Sequence, residues 1–329
     1  PGVPFVIWVI IFIAIVTFLN LRGIRSTARS NEILLILMAV IIGFFFVMSI
    51  RYLFNSQGWD GLLSYKPFYN PSTFNFAAIM TATSFAALTY IGFDGVTTLA
   101  EEVKNPKKNM LLAPALVCLF TGLFCAFEIY IAQRVWPDYN SFPNVETAFF
   151  DVSARVGGAL LSKAFAAVLC IGCLGSCLAG QAGAARLLFA MGRDNVLPRK
   201  LFSHVNSKTA IPDFNIILIA GLTVTISLII SYQGAAELLN FGAFLGFIGV
   251  NLAAFRQFYL LRPPGQKRHM FLDAVVPLLG LAVCFAIWIS LPAPAKIVGT
   301  IWLLTGIAFL AVKTRGFKDK PIELDYNDI

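Results

Sequence analysis

Charge is what this sequence has least of. Asp, Glu, Lys and Arg make up 13% of its 329 residues, against roughly 25% in ordinary soluble domains. Hydrophobic residues reach 58%, more apolar surface than a soluble chain of this length can hide beneath a wettable exterior. Histidine is scarce too. His204 and His269 are the only two, both in polar loops and neither with a partner at metal-ligand spacing. A membrane-embedded enzyme would need nucleophiles, bases or metal ligands that this pattern does not offer, so that alternative is the weaker one. No cysteine stands in a loop. Cys118, Cys125, Cys170, Cys173, Cys177 and Cys284 all lie in apolar stretches. Cys170-x-x-Cys173 matches a metal or redox pair in spacing alone, and these thiols read as small packing residues. No cofactor is expected.

What the sequence has in abundance is long apolar runs. A crossing needs about 20 mostly apolar residues to span roughly 30 Å of hydrocarbon. Nine such stretches occur, near 5–21, 32–53, 74–100, 110–134, 159–191, 213–232, 235–260, 271–291 and 297–313. The fifth is too long for a simple crossing and is expected to extend beyond one face. Pro114, Pro277 and the glycines within these runs are compatible with membrane helices. The expected class is an all-α integral membrane protein, with residues 1–313 as the transmembrane domain and 314–329 as a charged tail. No cleavable signal peptide is visible.

Basic residues set the orientation. With the loop carrying Arg22, Arg25 and Arg29 placed in the cytoplasm and the sides alternated from there, 19 of the 25 Lys and Arg fall on cytoplasmic segments. This bias predicts an outer N-terminal end and a cytoplasmic C-terminus. It also accounts for the net charge of +8. The basic residues are spread over separate loops without an aromatic-interleaved stripe, so nucleic acid is not an expected partner.

Ionisable residues at membrane depth are costly and therefore candidates for function. Asp94 lies in the third span, Glu128 late in the fourth, and Glu237 at the start of the seventh, where an interfacial position is expected. The third span stands out. Thr89, Gly92 and Gly95 form a small polar seam, and each glycine weakens a helix interior by about 1 kcal/mol relative to Ala. If the helix opens there, freed carbonyls at Leu88 and Ile91 suit an ammonium group, and the next half-helix offers N–H groups to a carboxylate. Small-residue seams also serve plain helix packing, and Asp94 weighs toward function. The fifth span carries a similar ladder through Gly172, Gly175, Ser176, Ala179, Gly180 and Gly183, and the seventh a weaker one at Gly242, Gly246 and Gly249.

Three stretches resemble a known family. Ile91-Gly92-Phe93-Asp94 followed by Glu101-Glu102-Val103-Lys104-Asn105-Pro106-Lys107-Lys108-Asn109 is similar to the broken sixth helix and next cytoplasmic loop of the amino acid–polyamine–organocation (APC) superfamily. Ala185 to Pro198, with Arg186 and Asp194-Asn195-Val196-Leu197-Pro198, is similar to the signature after the eighth helix, and Ile211-Pro212 also fits. The wording around Phe93 to Leu99 and Met191 to Pro198 looks most like the putrescine-importer branch.

The resemblance implies the LeuT-like fold of twelve helices built on two inverted five-helix repeats, with substrate held between the broken first and sixth helices. The nine spans would be helices four to twelve, with the first three missing, so the chain is expected to be a fragment. Carried over by position, Leu88 and Ile91 offer carbonyls to the substrate amine, with Thr89, Gly92, Asp94, Ser176 and Gly180 beside them. Leu88 stands where several members place a gating aromatic, which weakens a cation–π role here, and Gly180 stands near a second such position, which implies a roomier pocket. Met38 stands where many proton-coupled members have Lys. Asp94 and Glu128 are then the candidate coupling residues.

The expected function is secondary transport of amino acids or polyamines, such as putrescine, by alternating access. The expected partners are an amine substrate, a coupling proton and the lipid bilayer, in the plasma membrane. A non-transporting sensor or scaffold on the same fold is the other alternative.

Overall fold

The computed structural model describes residues 4–23, 28–93, 105–206, 211–261, 269–316 and 318. Every regular element among them is helical. The nine expected spans each contain a helix: α1 Phe5–Leu21, α2 Ala28–Gln57, α3 Phe76–Ala86, α4 Pro106–Val135, α5 Ala148–Arg193, α6 Asp213–Ile229, α7 Tyr232–Phe255, α8 Val276–Ile289 and α9 Ala293–Lys313. Six stretches are long and apolar enough to cross a membrane by length and composition, including the 24 residues of Leu34–Gln57 and the 28 of Lys108–Val135. Three are shorter apolar helices, Phe5–Leu21, Phe76–Tyr90 and Asp213–Ile229. Pro114 sits inside α4 without ending it.

Burial is inverted relative to a soluble protein. Phe120, Leu160 and Trp302 are 70%, 82% and 80% exposed, as apolar side chains are when lipid rather than water surrounds them.

The residues group into two compact units, 1–71 with 123–229 and 72–122 with 230–329. The first holds α1, α2, the end of α4, α5 and α6. Its core joins Phe45 and Leu53 of α2 to Ile131 and Val135 of α4 and to Val152, Val156 and Leu161 of α5. Phe45, Phe149 and Phe165 meet with ring centroids 5.1–5.6 Å apart, the tilted and edge-on arrangements that aromatic quadrupoles favour. Backbone angles at Gly158 (φ 69°, ψ −173°) interrupt α5 just ahead of the fifth expected span, and the whole 159–191 stretch lies in the helix that follows.

Two straps tie the 57–64 segment of this unit to α4. The Tyr130 hydroxyl donates to the Leu62 carbonyl (2.7 Å) and accepts from the Ser64 N–H (2.9 Å). Arg134 donates to the carbonyls of Gly61 and Asp60, both at 2.8 Å, and to Gln57 Oε1 at 3.0 Å. These groups border a cavity of about 1110 Å³, and the Tyr130 hydroxyl and the Nε and Nη2 of Arg134 are engaged by the loop itself.

The Met191–Pro198 signature is a helix terminus. Asn195 adopts φ 55°, and the N–H groups of Val196 and Leu197 return to the Met191 carbonyl at 2.8 and 3.0 Å, which satisfies a terminal carbonyl of α5. Pro198 then opens the short helix Arg199–Phe202. Asn215 of α6, 1% exposed, donates to the carbonyls of Phe202 (2.9 Å) and Ala185 (3.3 Å) and pins both ends of the turn.

The second unit holds α3, the start of α4, α7, α8 and α9. Buried Ala236, Glu237, Asn240, Phe241 and Phe244 share one face of α7, the i, i+4 spacing of a helix stripe. Glu237, on that face, is 6% exposed. Gln233, one turn earlier on α7, donates to its Oε1 at 2.8 Å.

Candidate functional site

The third apolar stretch leaves its helix just ahead of Gly92. Asn75 caps α3 by accepting from the Ala78 N–H at 3.1 Å. Toward the other end, Ser84 Oγ donates to the Thr81 carbonyl (2.7 Å) and Thr89 Oγ1 to that of Ala86 (2.8 Å), back-bonding that competes with the helical ladder. The chain tightens to a 3-10 turn over Ala87–Tyr90, turns extended at Ile91 (φ −61°, ψ 126°), and reaches Gly92 at φ 109°. An L side chain rarely adopts that last angle.

The break gathers four of the expected residues in one turn. Leu88 and Ile91 are half-buried, and Thr89 and Gly92 are exposed. The Leu88 carbonyl accepts from the Ile91 N–H at 3.1 Å, which closes the turn. A carbonyl oxygen accepts two hydrogen bonds, so that contact leaves capacity for a cation. Carbonyls released from a helical ladder inside a membrane form a seat suited to an ammonium group. Asp94 and Gly95, with the Glu101–Lys104 part of the loop motif, lie outside the described residues.

The other expected residues fall in the first unit. Ser176 and Gly180 are one helical turn apart on α5 and both exposed. Glu128, half-buried on α4, lies between Phe127 and the loop-holding Tyr130. Met38 of α2 brings its terminal methyl 3.9 Å from where a Cβ on Gly172 would stand.

Amides and a phenol that the sequence motifs do not include also stand at these places. Asn240, fully buried on α7, donates to the Ser84 carbonyl at 2.8 Å, just ahead of the break. Tyr90, within the 3-10 turn, rests its hydroxyl against Gly122. Phe93 meets Phe247 with ring centroids 5.3 Å apart. Next to Gly180, Gln181 accepts from Asn20 (2.7 Å) and donates to Thr17 (2.9 Å). A lone Asn or Gln in an apolar helix was the available signal, because such groups need partners inside a bilayer.

Comparison with known proteins agrees with this architecture. The amino acid permease family matches residues 2–321. The low-affinity putrescine importer PlaP of Escherichia coli K12 is 30% identical over 331 aligned residues, which take in 100% of this chain and 72% of that protein. The methylthioribose transporter of Bacillus subtilis is 28% identical over 90% of this chain and 61% of its own length. The branched-chain amino acid permease BcaP of Lactococcus lactis is 27% identical over 91% and 63%. These relatives are permeases and transporters rather than enzymes, and the chain is a multi-pass membrane protein. On this fold and these matches, the chain belongs to the amino acid permease family.

Proposed function

We propose that the protein carries a small amine, with putrescine as the first candidate, across the plasma membrane by alternating access. The observation that carries this reading is the helix break at Leu88–Gly92, where backbone carbonyls stand outside a regular ladder. The identity with a putrescine importer supports the choice of substrate. Leu88 and Ile91 provide carbonyls to the substrate ammonium, Thr89 and Gly92 shape the turn, and Asp94 supplies the counter-charge. Ser176 and Gly180 line the small-residue side of the path. A proton is the coupling ion, carried by Asp94 with Glu128 as the second candidate.

Residues 1–313 act as one permease domain in the bilayer, with residues 314–329 as a cytoplasmic tail and the N-terminal end outside. The basic bias of the loops supports that orientation.

The test is uptake of labelled putrescine by cells expressing the intact gene product, competed with other diamines and with neutral, basic and acidic amino acids. Diamine-sensitive uptake that amino acids leave untouched is the expected result. Amino acid flux without putrescine uptake would replace the polyamine reading with an amino acid permease, which the similarity to BcaP favours as the second reading. For coupling, Asp94→Asn is expected to abolish stimulation by an inward proton gradient. Gradient-driven uptake that survives this change would remove Asp94 from the role.

A further inference from the structure

Asn240 belongs to no motif, yet it holds the backbone one turn ahead of the break. It sits in α7 at 0% exposure, and its Nδ2 donates to the carbonyls of Ser84 (2.8 Å) and Phe85 (3.4 Å). The orientation of the amide follows from chemistry: both neighbours are carbonyl oxygens, so only the NH₂ end can face them. These two carbonyls belong to the last turn of α3, where α pitch gives way to the 3-10 turn. A change of pitch disturbs the regular ladder, and carbonyls near it gain from donors elsewhere.

A second contact lands on the same point. Ser84, also 0% exposed, directs its Oγ to the Ser290 carbonyl at 3.4 Å, at the end of α8. The neighbour of Asn240, Phe241, packs on Trp288 of α8 with ring centroids 5.3 Å apart. Three helices therefore converge one turn ahead of the break. The other end of the amide has no such role. Asn240 Oδ1 is buried without a hydrogen-bond partner, a desolvation cost that a leucine of similar volume would avoid. What the amide contributes at this position lies in its donating end.

We propose that Asn240 is a positioning residue for transport: its carboxamide anchors the last carbonyls of α3 and so sets where the Leu88–Gly92 turn stands. This rests on the reading of that turn as the substrate seat. Asn240 does not touch substrate. Its effect reaches the substrate through the register and rigidity of the segment it holds.

The experiment pairs two measurements on the intact protein, purified into lipid nanodiscs and expressed in cells. Hydrogen–deuterium exchange of the 84–93 segment reads the anchoring directly, and putrescine kinetics read its consequence. In Asn240→Leu, exchange across 84–93 is expected to rise about tenfold while α9 is unchanged, and KM to rise about tenfold with kcat nearly constant. Unaltered exchange in Asn240→Leu would overturn the proposal. So would a uniform rise through all helices, which would mark a general packing defect.

If the leucine variant is not recovered folded, Asn240→Asp, of the same shape, takes its place. A protonated Asp donates through its O–H and an ionised one cannot. Exchange equal to wild type at acid pH and faster at alkaline pH supports the anchor, and a ratio independent of pH overturns it. The two readings fail separately. Wild-type protein that carries no amine, with the exchange response intact, would sink the transport reading alone. Robust putrescine uptake with no exchange response would sink the role of Asn240 alone.

Discussion

The Tyr90 hydroxyl rests against the backbone of Gly122, so close that a Cβ on residue 122 would overlap it. The ring carbon bearing that hydroxyl is 3.4 Å from the same Cβ position, an ordinary contact. Tyr90 ends the 3-10 turn of the break, so the small residue on α4 leaves room for the turn. Gly122→Ala is expected to lower uptake about fivefold by pushing Tyr90 aside. Adding Tyr90→Phe should restore most of the loss, a coupling of about 1 kcal/mol. Uptake assays normalised to surface expression in a double-mutant cycle decide it, and strictly additive effects would show that the two residues do not meet in the working protein.

Gly92 is required for a different reason. No atom lies within 4 Å of a Cβ placed there, so space is open, but φ is 109°. A side chain at that angle carries strain of about 1–3 kcal/mol. Gly92→Ala is therefore expected to reduce transport about tenfold or more, because the strain is relieved only by moving the turn. Gly43→Ala, in the middle of α2 with equally open space, serves as the comparison. It should leave transport near wild type and raise helix stability slightly.

The straps on α4 bear on stability rather than on substrate. Tyr130→Phe removes the hydroxyl that bonds Leu62 and Ser64, and Arg134→Ala removes three donor contacts. Losses of about 1–3 kcal/mol are expected for each change. Thermal unfolding in detergent is expected to show a lowered midpoint for both, with putrescine KM unchanged.

Asn215 predicts how the signature after α5 is held. Its Nδ2 reaches the carbonyls of Phe202 and Ala185 from a site 1% exposed. Asn215→Leu keeps the volume and loses the donor, leaving two carbonyls short of a partner at about 1–3 kcal/mol. Limited proteolysis is expected to cut between residues 194 and 212 faster in the variant. Equal cleavage rates would mean that the α5 terminus holds without this amide.

Several features were legible in the sequence because they are local. Hydropathy over about 20 residues marks a membrane crossing whatever surrounds it, and all nine apolar stretches hold helices. The break also announced itself, since Gly92 and the back-bonding Thr89 weaken a helix through their own chemistry. The Asp194–Pro198 run ends α5 for a similar reason: Asn tolerates the left-handed angle and Pro cannot continue the helix.

Other features depend on which residues meet across helices. Asn240 and Ser84 are 156 positions apart, Tyr130 and Leu62 are 68 apart, and nothing in either local sequence names its partner. The sequence by itself determined that this is a membrane-spanning helical protein with a weakened third span, because apolar length and backbone propensity act within one segment. Tertiary structure alone decided which side chains steady that weak point, because a buried amide or hydroxyl gains a partner only where packing brings a distant carbonyl within hydrogen-bonding reach.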